Sequence, residues 1–273
     1  MTSAGRPRWR PTVSLMGVEL DNVTEDEVLE HVFSSLPAGR GGWAASLNVD
    51  ILRQTVADPT LRRLMAGADL VLADGMPMLW AGRLQGTPVQ ARVPTSEAIY
   101  SLSARAARQG VGVFFLGGNP GTAEATAAVM AARYPGLATA HACPPPGFEK
   151  APAAMDDLTA TLEKSKSGVV FCAFGCPKQE RLMDALRDRF PHKWFFAAGG
   201  TFSMIAGEAP KAPEWMRKLG LEWVHRLRLE PRRLFVRYIV HDVPFCLRLM
   251  AASARARRGS GAAAGSSAGE PAR

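Results

Sequence analysis

A Rossmann-like α/β fold, with a mostly parallel sheet, helices on both faces and a C-terminal basic helical appendage, is predicted by three features of this 273-residue chain. Short, nearly unbroken apolar runs alternate with segments of helical period over residues 12–212. The residues that follow the apolar runs are polar or glycine-rich. After Pro213 the alternation stops, and a helical, arginine-rich and aromatic-rich segment takes its place.

The apolar runs Trp43–Leu47, Asp69–Ala73, Val111–Leu116, Leu137–Ala142, Val169–Phe174 and Trp194–Ala198 are read as strands. Their nearly continuous hydrophobicity fits strands buried on both faces, as parallel sheets require. Between them Val49–Met65, Met76–Leu84, Ser96–Gln109, Thr122–Arg133, Pro152–Lys164 and Lys178–Arg189 carry apolar residues at spacings of three and four with charged outer faces. Beyond the core, Trp215–Leu219, Glu222–Leu229 and Pro231–Met250 are expected to be helical, with Pro231 suited to a helix start. The domain plan is therefore a flexible N-terminus over 1–11, a Rossmann-like core over 12–212, an amphipathic basic appendage over 213–250 and a disordered tail over 251–273. Gly259–Arg273 in particular is an Ala/Gly/Ser stretch that cannot bury enough apolar area to order itself.

Charge is unevenly placed. Between Lys211 and Arg258 twelve lysines and arginines face four acids, so the formal excess of +8 lies in the C-terminal fifth. That asymmetry suggests an anionic partner for this end: a diphosphate, phospholipid headgroups or nucleic acid. No run reaches the about 18 uninterrupted apolar residues of a spanning helix, and no apolar signal core follows the N-terminal arginines, so a cytoplasmic protein is expected. The four cysteines, Cys143, Cys172, Cys176 and Cys246, are scattered and fit a reduced compartment and a packing role.

In open parallel sheets ligands sit at the carboxyl ends of the strands. The residues there are Ser46-Leu47-Asn48, Asp74-Gly75-Met76-Pro77, Gly117-Gly118-Asn119, Gly175-Cys176-Pro177-Lys178-Gln179-Glu180 and Gly199-Gly200-Thr201. Gly117-Gly118-Asn119-Pro120-Gly121, between a strand and a helix, can turn backbone N–H groups and the positive helix end towards a phosphate. Its spacing is neither a dinucleotide fingerprint nor a P-loop, and a plain glycine turn is the structural alternative. Asp74 can act as a base towards a sugar hydroxyl, or cap the helix near Met76. Ser46 and Asn48 can orient that carboxylate, with a cap again the alternative for Asn48. Gln179 offers both a donor and an acceptor to a base or sugar edge, and Lys178 a cation to a phosphate; an ordinary solvated helix start is the alternative for both. No Asp-x-Asp and no His/Asp/Glu cluster at ligand spacing is present, so a metal-independent mechanism without cofactor is expected. His225 and His241 read as helix-face residues. The C-terminal arginines, interleaved with Trp215, Trp223, Leu229, Phe235, Tyr238, Ile239 and Phe245, fit an interfacial helix, or a helix docked on the protein's own core or another subunit.

Taken together, Ser46-x-Asn48, Ala73-Asp74-Gly75-Met76-Pro77-x-x-Trp80, Leu116-Gly117-Gly118, Gly175-x-Pro177-Lys178-Gln179-Glu180, Gly199-Gly200-Thr201-Phe202 and Glu222-Trp223-x-x-Arg226-Leu227 resemble the WecG/TagA/CpsF glycosyltransferases, glycosyltransferase family 26. The blocks occur in order from about Val18 to Met250. The resemblance implies inverting transfer of a hexose-type sugar (N-acetylmannosamine, its uronic acid, glucose or glucuronic acid) from a UDP donor. The acceptor it implies is a polyprenyl-diphosphate-linked sugar at the cytoplasmic membrane face. By the same resemblance Asp74 matches the general base, Ser46 stands where the family often has Thr, and Asn48 and Gln179 match the donor pocket. Gly117, Gly118, Asn119, Lys178, Gly199 and Gly200 complete the nucleotide-sugar site. Arg226 and Arg233 match appendage arginines that meet the lipid diphosphate, and Arg237 is offset by one from the third. A peripheral membrane protein able to self-associate, with no nucleic-acid partner, is implied. The chain departs from the family after Arg92-Val93, where Thr95-Ser96-Glu97 replaces Gly-x-Asp. Glu97 is thereby a second candidate base, with a first-turn helix role as its alternative.

Two other classes compete. A soluble nucleotide-sugar epimerase or dehydrogenase needs a dinucleotide fingerprint and a Tyr-x3-Lys or catalytic Cys, and none of the three tyrosines is followed by Lys at that spacing. A nucleic-acid-binding module would use the basic end but leave Asp74 and Gln179 without a purpose.

Overall fold

The computed structural model describes residues 10–218 and 220–266, and among these every side chain except those of 217, 218, 233 and 260–266. Thr12–Leu15 (β1) and Val18–Asp21 (β2) form an antiparallel hairpin absent from the sequence reading. Its two-residue turn, Met16-Gly17, holds φ of 51° and 77°, the left-handed pair that matches the twist of the flanking strands. At the end of β2 the buried Asp21 accepts the Val71 N–H at 2.7 Å, which ties the hairpin to the edge of the main sheet.

That sheet contains Gly42–Leu47 (β3), Leu70–Ala73 (β4), Gly112–Gly117 (β5), Thr139–Ala142 (β6), Ser167–Ala173 (β7) and Trp194–Ala197 (β8). Their order is β4-β3-β8-β7-β5-β6 and every pairing is parallel, in agreement with the predicted class. Successive residues point to opposite faces. Trp43, Phe114, Val170 and Phe195 enter one buried cluster, and Phe115, Phe171, Trp194 and Phe196 the other. Two covered faces explain why the strands read as unbroken apolar runs rather than alternating ones.

Glu25–Ser35 (α1), Thr95–Gln109 (α5), Thr122–Arg133 (α6) and Thr201–Ile205 (α9) pack on the second face. Val49–Ala57 (α2), Pro59–Ala66 (α3), Met76–Gln85 (α4), Pro152–Lys164 (α7) and Lys178–Arg189 (α8) cover the first. The α1 helix begins with a capping box, Thr24 and Glu27 each bonding the other's backbone N–H, at 3.3 and 2.9 Å. The single helix expected over Val49–Met65 is two. Pro59 has no N–H and its ring disfavours a helical Asp58, so α2 ends there, and Asp58 then caps α3 through the Thr60 N–H at 2.8 Å.

At the carboxyl rim, the chain leaves β3 and β7 towards the first face and β8 and β5 towards the second. Neighbouring loops therefore diverge on both sides of β8, opening the crevice expected of such a switch in direction.

The appendage contains Glu214–Lys218 (α10), Glu222–Leu229 (α11), Pro231–Phe235 (α12), a π-helical segment Val236–Asp242 and Val243–Ser266 (α13). The single helix expected over Pro231–Met250 is thus interrupted by a wide turn. Tyr238 and Phe245, read as interfacial, are buried, and Phe245 with Leu249 joins the first-face cluster beside α2 and α4. The tail expected from residue 251 is also corrected in its described part: residues 251–266 continue α13, with Ser253 buried.

Candidate active site

Asp74 is the first residue beyond β4, and its N–H donates to Leu47 O at 3.0 Å, so the two strands end level at the rim. Ser46, on the neighbouring β3, donates from Oγ to Asp74 Oδ2 at 3.1 Å. The capping alternative does not hold for Asp74. Gly75, at φ 97°, occupies the N-cap of α4, and no side chain caps that helix. The carboxylate is left to face the rim. For Asn48 the cap is real: its Oδ1 accepts the Ile51 N–H at 3.1 Å.

Burial pushes the Asp74 carboxyl above its ordinary range. Hydrogen bonding from Ser46, the facing Arg92 and Arg226, and Asn48 all pull the other way, favouring the ionised form. A carboxylate raised by desolvation and aimed by a hydroxyl is suited to removing a proton from an alcohol.

The two arginines come to Asp74 from different parts of the chain, Arg92 from the loop after α4 and Arg226 from the appendage. Val93 N–H donates to Ala73 O at 2.8 Å, which holds the 86–94 loop against the end of β4 and brings Arg92 with it. Arg92 pairs with Glu97 at 2.8 Å and lies 4.0 Å from Glu222. Glu97, the alternative base, is thereby committed to an ion pair. Glu222 and Arg226 stand one turn apart on α11 and so share a face. Burial raises the Glu222 carboxyl, Arg92 lowers it, and the nearby Asp74 and Glu97 raise it further. Arg226 lies across Gly200, its Nη2 3.1 Å from the place a Cβ on that glycine would take. The appendage thus supplies an acid and a cation to a rim built by the core. Arg92 and Glu222 were not singled out from the sequence as site residues. Glu222 opened a motif block and Arg92 preceded the Thr95-Ser96-Glu97 departure, and only the fold shows that they meet.

Gln179 is 3% exposed, and its Oε1 accepts both the Gly175 and the Gly199 N–H groups at 3.2 Å. Its Nε2 donates to Glu180 Oε1 at 3.0 Å. A side chain expected to read the donor is committed to the protein. Gly118 N–H is likewise used, on Ala173 O at 2.9 Å. Gly117 has to be glycine twice over, for its φ of 96° and because a Cβ would lie 2.7 Å from the Phe174 ring.

The expected phosphate seat at the start of α6 has an occupant. Glu208 accepts from Thr122 Oγ1 at 2.6 Å, and hydrogen bonds from Thr122, Ser203 and Asn119 hold its carboxyl below its ordinary range. Lys178 pairs with Glu149 at 3.2 Å over the rings of Phe148 and Phe174. Arg237 binds Asp50 at 2.9 Å and lies 3.8 Å from Asp242, so it ties the appendage to α2. The Arg233 side chain lies outside the described residues. The structure therefore brings Ser46, Asn48, Asp74, Gly200 and Arg226 together, and places Lys178 and Arg237 in ion pairs of their own. Among the described residues, no group of three or more His, Cys, Asp and Glu side chains is arranged to hold a metal ion.

A parallel α/β sheet that gathers a buried carboxylate and two arginines at its carboxyl rim has the form of an enzyme with its site at that rim. The model of the glycosyl transferase WecG/TagA/CpsF family matches residues 13–259, nearly the whole chain, and the protein belongs to that family. It is accordingly a glycosyltransferase of cell-surface polysaccharide synthesis, a class that uses nucleotide-sugar donors and lipid-linked acceptors.

Proposed function

We propose that this enzyme moves a hexose-type sugar from a UDP donor to a polyprenyl-diphosphate-linked sugar with inversion, without a metal, at the inner face of the cell membrane. The observation that carries the reading is the Asp74 carboxylate, raised by burial, oriented by Ser46 and flanked by Arg92 and Arg226. Asp74 takes the proton of the acceptor hydroxyl as that oxygen attacks the anomeric carbon. The bond from the anomeric carbon to the donor phosphate breaks with its electron pair staying on the phosphate oxygen, so the leaving diphosphate gains one negative charge at the same rim, and Arg226 above Gly200 is the cation placed to meet it. With Gly118, Gly175 and Gly199 amides all used internally, a side-chain cation has more of this work to do than the glycine turns.

Membrane contact is supported by the appendage. Val236, Val240, Val243 and Leu247 recur at helical spacing and are exposed, Leu247 to 68%, with Arg232 and Arg248 exposed beside them. No helix among the described residues is long and apolar enough to cross a membrane. Apolar side chains entering the acyl boundary with arginines in the headgroup layer fit a lipid-linked acceptor.

The test is UDP release from a panel of UDP-sugars with a short-chain polyprenyl-diphosphate-sugar acceptor and EDTA present, comparing the full chain with Asp74→Asn. Acceptor-dependent release that is lost in the variant is expected. Release that requires added metal, or near-normal release by the variant, overturns the mechanism.

A further inference from the structure

The β7–β8 ladder ends where Ala198 N–H donates to Cys172 O at 2.8 Å. Beyond it the two chains part towards opposite faces of the sheet, and the Gln179 side chain supplies the next rung. One oxygen, Oε1, receives Gly175 N–H from the loop after β7 and Gly199 N–H from the loop after β8, each at 3.2 Å. An amide turned end for end would set its own NH₂ against those two donors. Orientation is therefore everything to this link.

Glu180 fixes it. The Gln179 Nε2 donates to Glu180 Oε1 at 3.0 Å, so the acceptor end of the amide is left for the glycines. Glu180 is fully buried, and its Oε2 has no hydrogen-bond partner. Burial pushes its carboxyl up, and the hydrogen bond from Gln179 is foremost among the contacts that oppose the shift. A buried acid with one orphaned oxygen is costly to keep, and no part of the proposed chemistry uses it. The glycines it serves show what the cost secures. Gly175 and Gly199 have φ of 75° and 51°, and a Cβ built on either meets nothing within 4 Å, so both present bare backbone to open space. Gly200, beneath Arg226, follows directly.

We propose that Gln179 and Glu180 are positioning residues: a buried side-chain clip that sets the spacing of the β7 and β8 loops and so the floor of the donor crevice, without Gln179 touching the donor. The proposal rests on the donor lying at this rim, as inferred above.

The probes are UDP, by calorimetry, and hydrogen exchange at the Gly175 and Gly199 amides, which needs no ligand. Glu180→Leu is expected to weaken UDP binding at least tenfold and to speed exchange at both glycines with the far-ultraviolet spectrum retained. Glu180→Gln, which keeps an acceptor for Nε2, restores both. Gln179→Glu sets a second carboxylate against Glu180, with Cys172, Cys176, Asp50 and Arg237 the other titratable or charged groups near the pair. A shared proton then completes the link, so UDP binding by this variant rises as pH falls over a range where the parent is flat. The clip is overturned if Gln179→Leu leaves exchange at both glycines unchanged. It is overturned equally if Gln179→Leu abolishes UDP binding while Glu180→Leu leaves binding and exchange at parent values, which marks a direct donor contact. If the parent itself binds no UDP, the donor assignment fails, and exchange at the two amides alone decides the clip.

Discussion

Ser46 Oγ lies 3.1 Å from Asp74 Oδ2 and donates to it across two neighbouring strands. The hydroxyl is on β3 and the carboxylate just beyond β4, and the Asp74 N–H bond to Leu47 O holds the two strand ends level. The hydroxyl sets the direction of the carboxylate and lowers its proton affinity, while burial raises it. Ser46→Ala is expected to cut turnover roughly tenfold, the scale of one hydrogen bond to a charged group, and to move the acid limb of the pH–rate profile upwards. Ser46→Thr keeps the donor and should leave that limb in place.

Asp74→Asn is expected to lower transfer by roughly 10²- to 10⁴-fold and to leave UDP binding intact. Because burial raises the carboxyl in the folded state, its contribution to stability is present at low pH and is lost as pH climbs through the raised value. The variant, which cannot ionise, should therefore melt no lower than the parent at neutral pH. In the parent, kcat/KM should fall on acidification at a pH above the ordinary carboxylate range, since only the ionised form accepts a proton.

Gly200→Ala tests the seat of Arg226. The φ of Gly200 is −81°, which alanine adopts freely, so the backbone does not resist the change. The new methyl group would stand 3.1 Å from Arg226 Nη2 and push the guanidinium aside. Reduced kcat with an unchanged thermal midpoint is expected; a normal kcat would show that Arg226 works from another position.

Asp242 couples the appendage to pH. It is nearly buried between Asp50, Arg53 and Arg237, with Cys246 alongside, and burial, then the Asp50 charge, raises its carboxyl to about 6 against the two arginines. The native state holds this proton more tightly than the unfolded chain, so the contribution is whole below the ordinary carboxylate range and lost as pH rises through about 6. Asp242→Asn should match the parent melting point near pH 4 and exceed it near pH 7. A gap that opens on the acid side instead would contradict this assignment.

The parallel core was legible because strands buried on two faces must be apolar throughout, and Val169–Phe174 and Trp194–Ala198 are. Exposed helices betrayed themselves by period, and Thr122–Arg133, Pro152–Lys164 and Lys178–Arg189 lie where that period put them. The β1–β2 hairpin was missed because four-residue strands offer too little alternation, and the helix Glu25–Ser35 after it was missed too, although Thr24 and Glu27 stand at capping-box spacing. Asp74 was read correctly as a rim residue, but its freedom from capping depends on the φ of Gly75, which no pattern reports. Gln179 illustrates the opposite limit. A polar side chain at a rim reads the same whether it faces a ligand or two backbone N–H groups, and only the positions of Gly175 and Gly199 tell these apart. Arg237 was legible as a cation, and its partner Asp50 was out of reach because nearly two hundred residues separate them in the chain.

The rim draws its base from the first third of the chain and Arg226 from the last fifth. During synthesis on a ribosome, the sheet and Asp74 emerge well before the residues that bring Glu222 and Arg226 to them. A half-made enzyme thus holds its carboxylate with Arg92 alone, and the second cation arrives only when the last fifth of the chain has been made and has folded back onto the core through Phe245 and Leu249.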